Sequence, residues 1–177
     1  LVKRTSLTVD PAKVTPHFPD IPLPYSWLAS QLPMRNDGFS GKLPWWVYAS
    51  RPDLRKYRHL VARGPQARIE LVTDKTFCFF PLWAWEKVLT GTYLSAYEGV
   101  EEQFYTELES AGLSETWPLP QPWLDRLMDS WNDLFNPDLP LNGGLVGVVE
   151  ELRLRSVLKV KTFGLGMKAK ILVKTSL

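Results

Sequence analysis

A chain of 177 residues, 45% of them hydrophobic and eight of them tryptophan, can bury one core without disulfide or metal staples, which excludes a disordered chain. Twenty-one Lys and Arg against nineteen Asp and Glu leave a net charge of +2, too small to single out a class of partner. No run approaches the roughly 20 apolar residues of a membrane span, and one domain over residues 1–177 is expected.

The opening ten residues hold no apolar signal segment, so a cytoplasmic location is expected. Leu1 in place of methionine suggests an alternative start codon or missing first residues. Residues 1–22 read as a short strand within Leu1–Val9 followed by an irregular, proline-rich segment. Pro24 suits the first turn of a helix, with Tyr25, Leu28 and Leu32 at helical spacing, and Asn36-Asp37-Gly38 reads as the turn after it. Leu43–Ala49, dense in Trp, Val and Tyr, predicts a strand. Arg51–Gln66 is a basic connection punctuated by Gly64-Pro65. Ala67–Thr73 alternates as a half-buried strand, and Thr76–Phe80 is apolar enough for a buried one.

Three helices come next. Leu82–Thr90 starts behind Pro81 and stops at Gly91, where a left-handed residue would cap it. Ser95 and Glu98 fit a capping box for a helix that buries Tyr97, Val100, Phe104, Leu108 and Ala111 and ends near Gly112. Pro122–Phe135 gathers Trp123, Leu124, Leu127, Met128, Trp131, Leu134 and Phe135 into one stripe, with Asp125, Asp129 and Asp133 opposite. Beyond Asn142-Gly143-Gly144, the valine-rich Leu145–Leu154 and Ser156–Phe163 predict strands, and Lys168–Val173 a third. Strands, then helices, then strands argue an α+β class: a small mixed or antiparallel sheet of N-terminal, middle and C-terminal strands, packed with about four helices.

Several of these stretches carry a resemblance. Pro44-Trp45-Trp46-Val47-Tyr48, Arg51-Pro52-Asp53-Leu54-Arg55, Ala67-Arg68-Ile69-Glu70-Leu71, Phe80-Pro81-Leu82-Trp83 and Val88-Leu89 resemble the bacterial family catalogued as domain of unknown function 3841. Tyr25-Ser26-Trp27-Leu28 and Ser130-Trp131-Asn132-Asp133-Leu134-Phe135 are similar to its flanking helices, and Glu150–Leu154 with Val157–Phe163 to its C-terminal strands. The resemblance spans roughly residues 23–163. Residues 8–24 match the family poorly, and 164–177 look like an extra tail. It implies a small bacterial intracellular protein and no particular activity.

Charge is unevenly spread. Residues 1–68 hold 11 basic and 4 acidic groups, 69–152 hold 3 and 15, and 153–177 hold 7 and none. The blocks either dress separate solvated surfaces or, where the basic ends cluster, hold an anionic ligand. Two histidines and one cysteine give no spaced metal-ligand set, and neither metal nor cofactor is expected. Cys78, within Phe77-Cys78-Phe79-Phe80, reads as a reduced core thiol. No Gly-x-Ser-x-Gly elbow accompanies a serine. Gly164-Leu165-Gly166-Met167-Lys168 opens no helix and reads as a turn rather than a phosphate cradle.

Trp45, Trp46 and Tyr48, with Arg51, Arg55, Arg58 and His59, combine rings that stack on bases and cations that neutralise phosphates. The sequence therefore points to a nucleotide- or nucleic-acid-binding module, unless the rings are core and the arginines a solvated loop. Asp53 with Arg55 in a turn, and Arg68 with Glu70 on one strand face, fit a buried ion network that orders the loop. They also fit a site for a nucleotide-type substrate, with arginine on the anion and glutamate as base, ADP-ribosyltransferase-like by analogy only. A third expectation is a protein partner met by the acidic helices Ser95–Ala111 and Pro122–Phe135.

Overall fold

The structure, a computed structural model, describes residues 6–10, 23–50, 66–72, 74 and 76–163. Outside them lie most of the irregular segment 1–22, the basic connection 51–65 with Arg51, Arg55, Arg58 and His59, and the tail 164–177 with its expected strand. The elements run β1 (Ser6–Thr8), α1 (Leu23–Arg35), β2 (Trp45–Tyr48), β3 (Gln66–Leu71), β4 (Cys78–Pro81), α2 (Leu82–Leu89), α3 (Val100–Ser110), α4 (Gln121–Ser130), β5 (Leu145–Val149), β6 (Glu151–Arg153) and β7 (Val157–Phe163). Among the described residues, four α-helices with antiparallel strands make an α+β fold.

The expected single sheet resolves into three antiparallel ones among the described residues: β2-β5-β4, β1-β6 and β3-β7. Leu145–Leu154 does not run as one strand, because Glu150 turns its carboxylate inward to the 40–42 loop. Ser40 N–H donates to it at 2.6 Å, Ser40 Oγ–H at 2.5 Å and Lys42 N–H at 3.3 Å. The strand before it therefore belongs to the central sheet and the strand after it to another.

The core forms where α1, α2, α3 and α4 close over β4 and β5. Trp131 sits fully buried in it, edge-on to Trp27 at 5.5 Å, with its indole N–H donating to the Thr92 carbonyl at 3.0 Å. Burying that N–H without an acceptor would be costly, and the pairing removes the penalty. Leu28, Leu32, Phe80, Leu127 and Leu134 pack in the same cluster, each contributing about 1.5–3 kcal/mol by leaving water. Gly147 on β5 admits no larger residue, since a Cβ there would stand 2.5 Å from the Phe79 ring of β4.

Two helix expectations change. α2 ends as its sequence predicts: Gly91 has φ +66°, its N–H donates to the Val88 carbonyl, and Thr92 N–H donates to Lys87. The capping box at Ser95 does not form. Ser95 Oγ instead accepts the Tyr97 N–H at 3.0 Å, and α3 starts five residues later, behind Gly99 at φ +79°. The segment is held elsewhere, with Leu94 N–H donating to Ser130 Oγ at 3.1 Å and Ala96 N–H to Asp133 Oδ2 at 2.9 Å. Tyr97 and Val100, expected in the buried stripe, are consequently exposed. The stripe from Trp123 to Phe135 does face the core, but Trp131–Phe135 tightens into a 3-10 helix.

Candidate functional site

The sequence singled out residues around β2 and β3, and the structure separates them. On β2, Trp45 and Trp46 alternate, so their rings leave opposite faces of the strand. Trp46 packs at 4.7 Å from Trp85 and edge-on to Tyr25 and Phe80. Trp45 donates its indole N–H to the Leu7 carbonyl at 3.2 Å. Tyr48, at the end of the strand, is exposed. β3 belongs to another sheet, where Arg68 Nη2 reaches the Glu70 carboxylate at 2.9 Å and the Arg68 side chain is only 12% exposed. Arg68 and Glu70 thus form an ion pair along β3, and Asp53 and Arg55 lie outside the described residues.

β3 pairs with β7 to make a two-stranded ribbon. Arg68 lies opposite Lys161, and Glu70 opposite Lys159, so three cations and one carboxylate share a ribbon face. Among the residues of β3, β6 and β7 whose side chains are described, none belongs to the core cluster.

A second surface forms around α3. Phe104 and Leu108 turn inward, Phe104 meeting Tyr93 at 4.4 Å and Trp123 at 5.9 Å. The outward stripe of α3 runs Glu102, Tyr105, Glu109, at spacings of three and four that share one side of a helix, and Glu98 lies in the turn that precedes it. Tyr105 is fixed in place because its hydroxyl accepts the Tyr93 N–H at 3.0 Å. Between positions 82 and 138 the chain holds 11 acidic groups and two cations, Lys87 and Arg126, a balance of −9. Both cations are taken: Lys87 pairs with Glu101, and Arg126 with Glu107 at 2.8 Å while its guanidinium lies over the Trp123 ring. Hydrogen bonds from Arg126 and then Gln103 hold the Glu107 carboxyl below its ordinary range. Among the described residues no cation stands within ion-pair distance of Glu98, Glu102 or Glu109.

Two concavities flank this stripe. An open groove of about 860 Å³ is lined by Tyr97, Glu98, Glu102, Tyr105 and Glu109 among others. A cleft of about 290 Å³ lies beside it, with Leu113, Leu119, Trp117 and Leu127 in its lining. Tyr105 and Glu109 line both, so an acidic groove and an apolar cleft share a wall. Tyr97 is 70% exposed and Trp117 64%. Sequence reasoning named this helix as acidic but placed Tyr97 inside. The three- and four-residue spacing of Glu102, Tyr105 and Glu109 was the available signal.

Other chemistry finds little support in the geometry. Cys78 faces Val148 across the central sheet, and burial pushes its thiol up, away from the reactive thiolate, against a weaker opposing pull from Arg35. Among the described residues no three His, Cys, Asp or Glu side chains converge as a metal would require, and no helix is long and apolar enough to cross a membrane. Comparison of the chain with protein-family models, with curated proteins and with solved structures returned no match.

Proposed function

We propose that this protein is an interaction module whose α3 surface receives a cationic segment of a protein partner. The observation that carries this reading is that Glu98, Glu102 and Glu109 line one groove with Tyr97 and Tyr105, with no cation among the described residues within ion-pair distance of the three carboxylates and the groove's Lys87 paired with Glu101. Carboxylates gathered on one surface repel one another, and Lys or Arg from a partner relieves that repulsion. Tyrosine faces accept the same cations and the apolar stems behind them. A fluorescent peptide of alternating lysine and leucine tests it. Affinity should fall steeply with salt, and Glu102→Lys/Glu109→Lys should weaken it at least about tenfold, or ~1.4 kcal/mol. Binding indifferent to salt and to charge reversal overturns the proposal.

A second reading, a nucleotide or nucleic-acid partner, draws on the ribbon face where Arg68, Lys159 and Lys161 meet, with Arg51, Arg55, Arg58, His59 and the Trp45, Trp46 and Tyr48 rings as further contacts. It requires a single-stranded oligonucleotide to bind with a salt-dependent affinity that Arg55→Ala, Arg58→Ala and Lys161→Ala reduce; unchanged affinity in all three removes it. As an enzyme acting on a nucleotide-type substrate, the chain would use Arg55, Arg68 and Glu70. Neither Arg68 nor Glu70 lines the groove or the cleft. Membership of the domain of unknown function 3841 family is compatible with all three.

A further inference from the structure

We propose that the cleft beside the α3 groove is an anchor pocket, which seats one leucine-sized apolar side chain of the partner's cationic segment two residues along from a lysine or arginine held by the groove. This rests on the reading of the groove given above and adds what the segment must carry besides its charge.

Along a helix of about 3.6 residues per turn, Phe104 and Leu108 fall on one flank of α3, Glu102 and Thr106 on the other, and Tyr105 and Glu109 on the crest between them. The two hollows follow that division. Phe104 and Leu108 line the cleft, Glu102 and Thr106 line the groove, and the crest pair lines both. The cleft is apolar: Phe104, Leu108 and Leu127 are buried, Leu113 and Leu119 half-buried, and the Trp117 ring largely open to water. That ring is seated against the backbone of Gly91, where φ is +66° and a Cβ would stand 3.3 Å from it. An indole held in place yet exposed at an apolar hollow offers contact area with little left to order on binding.

Size and charge narrow the occupant. Pockets for whole drug-sized ligands run from ~300 to 1,000 Å³, and the cleft, at about 290 Å³, suits a single side chain better. Its neighbours on the crest and beyond are the exposed carboxylates Glu109 and Glu102, which reward a cation attached to the same chain. In an extended segment the side chains that face the same way stand two residues apart, ~7 Å along the chain. A segment crossing the crest thus lowers a leucine into the cleft and, two positions on, a lysine or arginine towards the carboxylates. Apolar anchors of this kind, ringed by polar contacts, carry most of the energy of an interface.

Three end-blocked, labelled peptides test it: Ser-Leu-Ser-Lys-Ser-Lys-Ser, the same with serine for leucine, and the isomer Ser-Ser-Leu-Lys-Ser-Lys-Ser, whose leucine faces away from its lysines. Each is titrated into the full chain and into Trp117→Ala. The first should bind the wild type at least about tenfold more tightly than the other two, the least that burying a leucine is worth. Trp117→Ala should bring it down to their level and leave theirs unchanged, and that unchanged binding shows that the variant is folded. Ser114, exposed on the cleft lining, provides a second variant: Ser114→Trp fills the hollow and should abolish the same advantage. Equal, salt-sensitive binding of all three peptides overturns the anchor and leaves the groove reading standing. A leucine advantage that survives both variants places the anchor elsewhere and also overturns it. No binding by any of the three removes the groove reading as well.

Discussion

Glu150 follows directly on β5, and its carboxylate accepts from Ser40 and Lys42. It is the buried charged residue among those described, and its partners explain why it stays charged. Burial pushes its carboxyl up, but the donors of Ser40 and Lys42 outweigh that and hold it below the ordinary glutamate value. A folded-state value below the unfolded one, about 4.3, means the stabilisation is present above that pH and is lost as pH falls through the lower value. Glu150→Gln should therefore cost about 1.5–3 kcal/mol near neutral pH, where the charged hydrogen bonds operate. It should also flatten the acid side of the melting-temperature profile relative to wild type. Identical profiles in both proteins would remove Glu150 from acid stability. Nothing in the sequence announced this residue, because its partners lie 108–110 positions away in the chain. Trp46 teaches the same lesson in reverse. Its composition suggested a ligand platform, while its neighbours Trp85, Tyr25 and Phe80 place its ring in aromatic packing.

At the scale of elements, strong local signals translated into structure and weak ones yielded to tertiary contacts. Gly91 ends α2 because only the local backbone is needed to form that cap. Ser95 failed as a capping residue because Asp133 and Ser130, on the following helical layer, claim the amides of Ala96 and Leu94. That claim has a functional side, since it sets Tyr97 and Glu98 at the mouth of the groove. Asp133→Ala should cost about 1–3 kcal/mol by leaving the Ala96 N–H unpaired. It should also weaken binding of the lysine–leucine peptide, although Asp133 does not line the groove. Calorimetric melting and the peptide titration, done on the same variant, check both. Full peptide affinity in Asp133→Ala would mean that the 94–98 segment keeps its course without this bond.

For the molecule as a whole, packing divides the strands into two populations. β2, β5 and β4 back onto the helices, whereas β3 and β7 pair with each other outside the core cluster. Hydrogen exchange should follow that division: amides of β4 and β5 exchange only through opening of the core, and those of β3 and β7 far faster. Equal protection in the two sheets of a monomeric preparation would contradict it. The amino-acid sequence by itself determined the α+β class, the extents of α1 and α2, the inward stripe of α4 and the alternation of charge from basic to acidic to basic, all of which depend on near neighbours and periodicity. Only tertiary structure decided that the described strands sort into three sheets, that Arg68 pairs with Glu70 on a ribbon apart from the Trp45–Tyr48 strand, and that Glu98, Glu102 and Glu109 line one groove of which Glu109 also borders an apolar cleft. Those outcomes turn on which distant groups compete for a given amide, ring or charge, and spacing along a chain does not encode the winner.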